Sequence, residues 1–64
     1  MDYEEANEPV LLSYDEILAE TDLAYLFVID GEEFWIPKSQ IEYLDTEEQE
    51  FDIPRWLAEE KGLY

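Results

Sequence analysis

The sequence predicts a single small α+β domain, a three-stranded antiparallel sheet carrying one or two short helices. Three observations lead there. The apolar run Leu23–Ile29 is followed at once by Asp30-Gly31, the dipeptide most diagnostic of a tight hairpin. Glu50-Phe51-Asp52-Ile53 alternates polar and apolar residues with the period of a half-buried strand. The tail from Arg55 to Lys61 reads as a helix ending on Gly62.

Taken in order, residues 1–9 are polar, end in Pro9 and are expected to form a flexible leader to a domain spanning residues 1–64. Ser13-Tyr-Asp-Glu16 has the Ser-x-x-Glu form of a capping box, which predicts a helix over residues 13–21. Asp15 and Glu16 would sit in its first turn, where the helix dipole favours negative charge. Leu12, Ile17 and Leu18 would share one face. Leu23–Ile29 is apolar on both faces, as a central strand should be. Glu32–Ile36 returns as the second strand, stopped by Pro37, which has no amide hydrogen to give to a ladder. Residues 38–44 fit either a short strand or a turn, and Asp45–Glu50 is a polar acidic stretch. Glu50–Ile53 is the third strand. Pro54 suits the first helical position, Gly62 the position after the helix, and Leu63 its hydrophobic fold-back contact.

Sixty-four residues without Cys or His must fold without a disulfide or a thiolate or imidazole metal site. With 47% hydrophobic and 16% aromatic residues, the chain departs from the composition of disordered proteins. Its charge is extreme. Nineteen Asp and Glu face only Lys38, Arg55 and Lys61, a net charge of −16. Direct binding to nucleic acid is excluded, because phosphate neutralisation by Lys and Arg supplies most of that affinity. An anionic membrane is repelled as well. The segment Met1-Asp2-Tyr3-Glu4-Glu5 is acidic where a secretory signal would be basic, and the longest apolar run is far shorter than the ~20 residues of a membrane span. A cytoplasmic protein is expected, a monomer or small homo-oligomer.

Catalysis is not expected. A carboxylate pair needs an apolar cleft to raise one pKa, and so small a domain has little room for one. An EF-hand fails too: a loop starting at Asp45 puts Glu50 where Gly is needed and runs on to Arg55. No cofactor or metal is called for. The placement of the acids is the remaining signal. Glu48, Glu50 and Asp52, if extended, would line one strand face at about 6.8 Å intervals, from a rise of ~3.4 Å per residue. That is of the order of the distance between neighbouring phosphates on a DNA strand. Asp30, Glu32, Glu33, Asp45 and Glu47 would lie at the ends of the same sheet. A solvated face kept for solubility is the plainer reading, but solubility asks for a net charge of only about 2–8 in a small domain. The acids are therefore expected to occupy the working surface of a basic nucleic-acid-binding protein. Trp35, opposite in direction to Phe34 and Ile36, would be an interface anchor beside them.

Asp30-Gly-Glu-Glu-Phe-Trp-Ile-Pro-Lys-Ser-Gln-Ile41 and Ile53-Pro-Arg-Trp-Leu-Ala-Glu-Glu-Lys-Gly-Leu63 together resemble a pattern in small acidic proteins of phages and mobile elements. The pattern is D-G-x-x-x-W-I-P-K-S-Q-I, an acidic linker, then W-L-A-E-x-K-G-L, and with its linker it covers about half the chain. In size and acidity the chain also resembles anti-CRISPR proteins that mimic DNA, in character rather than by motif. This implies binding to the PAM-recognising surface of a CRISPR surveillance complex in a bacterial host, blocking target DNA without chemistry. The alternative is a phage accessory protein that binds a basic recombination or replication factor.

Overall fold

The computed structural model describes residues 3–64. The chain runs through helix α1 (Tyr3–Asn7), strands β1 (Pro9–Ser13), β2 (Glu16–Glu20), β3 (Ala24–Ile29) and β4 (Glu32–Pro37), then a 3₁₀ turn over Lys38–Gln40. Strands β5 (Leu44–Asp45) and β6 (Glu50–Pro54) and helix α2 (Arg55–Glu60) follow. The class is α+β, with the strands divided between two antiparallel three-stranded sheets, β1–β6–β5 and β2–β3–β4.

The helix expected over residues 13–21 is replaced by strand. Ser13 closes β1 opposite Glu50, and Glu16 opens β2 opposite Val28, so the supposed capping pair falls in two different sheets. The reason lies in β3. An apolar central strand needs hydrogen-bonding neighbours on both edges, and β2 and β4 supply them. An isolated helix of that length is marginal in water, so strand pairing prevails over the local capping signal. β2 carries a bulge between Ile17 and Ala19, a distortion that discourages further pairing at a sheet edge.

Several other expectations hold. Asp30 and Gly31 have φ of 51° and 82°, the pair of positive values required by a two-residue type I′ turn. They join Ile29 to Glu32 in register. The ambiguous segment is a 3₁₀ turn followed by the short β5. Pro54, expected at the first helical position, instead stands one residue ahead of it as the N-cap of α2, still extended at φ −60° and ψ 146° as the last residue of β6. At the other end, Gly62 N–H donates to Glu59 O and Leu63 N–H to Ala58 O. With φ of 76° at Gly62, this is the Schellman motif, and Leu63 packs against the core.

The residues read as a leader are part of the fold from Tyr3 onward; Met1 and Asp2 lie outside the described residues. Helix α1 packs against α2, and Arg55 N–H donates to Glu8 O at 2.9 Å.

The sheets meet through aromatic rings. Phe27 of β3 and Phe51 of β6 stack with centroids 4.1 Å apart and ring planes 4° from parallel. Tyr14, in the β1–β2 connection, tilts against both at 4.9 and 6.0 Å. Ile36, Ile53, Leu57 and Ala58 complete the buried set. Of the remaining aromatics, Tyr25 and Phe34 pack partly against this core, whereas Trp35 is 46% and Trp56 40% exposed.

Candidate functional site: an acidic end

Three connections converge at one end of the molecule: Tyr14–Asp15 between β1 and β2, the Asp30-Gly31 turn, and residues 46–49 between β5 and β6. Asp15 ties them together. Its amide donates to Val28 O at 2.7 Å, and its carboxylate accepts from Asp30 N–H at 3.0 Å. Its carbonyl accepts from Gln49 Nε2 at 2.6 Å, while Tyr14 N–H donates to Gln49 O at 2.9 Å. Gln49 takes φ of 57° to make that turn. Around this knot stand the exposed side chains of Glu16, Asp30, Glu32, Glu33, Glu47 and Glu48, with Glu50 half-buried at the start of β6.

Two of the acids expected in a recognition row are instead built into the backbone. Asp45 Oδ1 accepts from the amides of Glu47 and Glu48 at 2.9 and 3.0 Å, and its Oδ2 accepts from the Tyr43 hydroxyl at 3.1 Å. Asp52 Oδ1 accepts from the amides of Glu42 and Tyr43 at 3.0 and 2.9 Å. Side-chain capping of this kind is what makes Asp a turn residue. The supposed row of Glu48, Glu50 and Asp52 is therefore broken. Glu48 lies in the turn, Asp52 is bent toward the loop ahead of β5, and only Glu50 and Asp52 share the outward side of β6, alternating with buried Phe51 and Ile53. Asp15 and Glu16, absent from the expected site, join it. Two short apolar runs, Val10–Leu12 and Ile17–Ala19, separated by polar residues, were the signal for two strands there, one in each sheet; the capping-box spacing masked it.

The bonds to Asp45 set its chemistry. The Glu48 amide foremost, then the Glu47 amide and the Tyr43 hydroxyl, hold its carboxyl below the usual range. The same hydrogen bond pushes the Tyr43 phenol up. A depressed folded-state pKa contributes stability above the unfolded value of ~3.9, which is lost as pH falls through the folded value. Replacing Asp45 with Asn keeps an acceptor but removes the charge. The variant should melt below the wild type above about pH 4, and the gap should close as the pH is lowered toward 2. Melting curves across that range check it; a gap independent of pH would mean that Asp45 acts by shape alone.

The chain's three cations lie elsewhere. Lys38 pairs with Glu20 and sits 4.8 Å from the Tyr25 ring centre, beyond the Ala24–Pro37 end of the hairpin. The Glu20 hydrogen bond pushes the Lys38 ammonium up. Arg55 Nε donates to Glu59 at 3.0 Å, with its guanidinium 5.1 Å from the Tyr64 ring. It adjoins the Pro9–Pro54 pair, the end of β1 and β6 away from Glu50. Lys61 directly follows α2. The acidic end thus carries carboxylates with neither Lys38 nor Arg55 near them, while Glu8, Glu20, Asp22, Glu59 and Glu60 lie outside it. Among the described residues, no three carboxylates converge closely enough to hold a metal ion, and no helix is long and apolar enough to cross a membrane.

Fold and site together define a small acidic α+β protein of two packed sheets with a cation-free carboxylate end. Comparison with family models, curated proteins and solved structures gives no match to this chain.

Proposed function

We propose that the protein is a non-enzymatic acidic decoy, active in the cytoplasm of a bacterial host. It occupies the basic, PAM-recognising surface of a CRISPR surveillance complex and blocks target DNA. The observation that carries this reading is the cation-free carboxylate end. Acids such as Glu8, Glu20, Asp22, Glu59 and Glu60 lie elsewhere. At this end, however, a cluster of carboxylates stands without a Lys or Arg to offset it, and that imbalance gives the field of the −16 chain a direction. Such a field steers a basic groove onto that end and raises the association rate. Glu16, Asp30, Glu32, Glu33, Glu47 and Glu48 supply charge there in the role DNA phosphates play. Asp45, Asp52 and Asp15 hold the loops that present them. No bond is made or broken, and neither cofactor nor metal takes part.

The test is an order-of-addition experiment with a purified surveillance complex, DNA binding being followed by gel shift. Protein added before DNA should abolish the shifted band, and protein added after DNA should not. Potency should fall as salt rises, since the contact is electrostatic. No effect across several CRISPR types would remove that partner and leave another basic nucleic-acid-binding protein, such as a recombination or replication factor, as the target.

A further inference from the structure

The outer face of the β2–β3–β4 sheet differs in character from the acidic end. Strand alternation turns Tyr25, Phe27 and Ile29 toward the core, so Ala24, Leu26 and Val28 face away from it. The register sets Trp35 of β4 and Ala19 of β2 on either side of Leu26, and Glu33 and Glu16 on either side of Val28. Leu18, displaced by the bulge at the edge of this face, is 49% exposed, and Trp35 is 46% exposed. Among the described residues, the helices pack chiefly elsewhere: α1 on α2, and α2 on β1 and β6. The result is an apolar strip with a carboxylate on each flank.

The dimensions of the strip select an occupant. Glu16 and Glu33 stand two strand spacings apart, about 9.6 Å, close to the ~10 Å diameter of an α-helix. From Ala24 to Val28 the strip runs about 13 Å at ~3.3 Å per residue, a little over two helical turns of ~5.4 Å. A second copy of this chain is a poor occupant, because it would set the same carboxylates against one another at −16 per molecule. We propose that this face docks a basic amphipathic α-helix of a partner protein. The helix would lay its apolar stripe on Leu26, Val28 and Trp35 and place Lys or Arg against Glu16 and Glu33. The inference rests on the basic-partner reading for the sign of the partner's charge, and it uses the adjoining sheet face, which shares Glu16 and Glu33 with the acidic end.

The probe is a synthetic helical peptide of Leu, Lys and Ala, with Leu at i, i+3, i+4 and i+7, compared with a scrambled peptide of identical composition. The protein carries Trp56→Phe, so that Trp35 is its sole tryptophan. The patterned peptide should bind at least about tenfold more tightly than the scramble and shift Trp35 emission to shorter wavelength. Trp35→Ser, followed by a tyrosine signal, and Leu26→Ser should each bring the two peptides to within about twofold of one another. Circular dichroism confirms that the variants remain folded, and the exposed position of Trp35 keeps the test available if Leu26→Ser does not fold. Equal affinity for both peptides would overturn the proposal, as would a preference that survives Trp35→Ser. Sedimentation showing a dimer that Trp35→Ser dissolves would assign the face to self-association instead. The variant Glu47→Lys with Glu48→Lys should retain the preference even where it no longer competes with DNA. Loss of the preference there would move peptide binding to the acidic end and overturn the inference without touching the decoy reading.

Discussion

Phe51→Ala is expected to lower the melting temperature by at least about 12 °C and to remove a large share of the domain's stability. Phe51 is fully buried, and its ring stacks on that of Phe27 across the interface between the two sheets. Removing a buried Phe side chain costs roughly 3–5 kcal/mol through lost transfer energy and the cavity left behind. At roughly 0.05–0.15 kcal/mol per residue, a domain this size has only about 3–10 kcal/mol to lose. In a domain of this length, each kcal/mol moves the melting temperature by roughly 4–8 °C. Leu23→Ala provides the contrast: that side chain is 80% exposed, and its loss should change stability by no more than about 0.5 kcal/mol. Thermal melts followed by circular dichroism measure both. A small effect at Phe51 would mean that the sheets are joined by something other than the stacked rings.

Reversing the charges of the acidic end should move binding and stability in opposite directions. The variant is Glu47→Lys, Glu48→Lys and Glu50→Lys. It spares Asp45 and Asp52, whose carboxylates cap backbone amides, and Gln49, whose positive φ makes the turn. Glu47 and Glu48 give only their amide hydrogens to Asp45, so their side chains can change without breaking the loop. Each reversal moves the net charge two units toward zero from −16, which relieves self-repulsion. The melting temperature should therefore rise at low salt. The wild type should also gain stability on going from about 10 mM to 0.5 M salt, as screening shortens the range of repulsion, and the variant should gain less. Affinity for the surveillance complex should fall by about a hundredfold, because the steering charges are inverted. Calorimetry and the gel-shift competition read the two effects separately. Undiminished competition by a folded triple variant would place the contact elsewhere on the molecule.

Much of this was legible before the structure. β3, the I′ turn, β4, β6 and the Schellman end of α2 each rest on a local rule: strand composition, Asp-Gly, alternation, or a glycine after a helix. The N-terminal third was harder because its determinants are distant. Ser13 and Glu16 satisfy a local helix signal, and nothing near them in sequence reveals that β3 needs an edge partner or that β6 needs β1. The acidic site shows the same division. Its existence follows from composition, and several members, such as Glu32, Glu33 and Glu47, could be named. Which acids are free and which are spent on backbone amides depends on turn geometry at Asp45 and Asp52. Asp15 could be recognised only once Asp30, fifteen positions away, was brought to it.

The pairing of β1 with β6 also bears on how the chain comes to be folded as it is made. The β2–β3–β4 meander is contiguous, from Glu16 to Pro37, and its turns are short, so its strands can find one another soon after they leave the ribosome. β1 has no such neighbour. Its ladder partner, Glu50–Pro54, lies across the whole meander, and closing so long a loop carries an entropy cost that only the completed interface offsets. Until Phe51 arrives, Phe27 has no ring to stack on, and the inner face of the meander is open to water. The nascent molecule thus passes through a stage with an uncovered apolar surface on a strongly anionic chain. There, mutual repulsion between copies at −16 per finished chain opposes their association during synthesis.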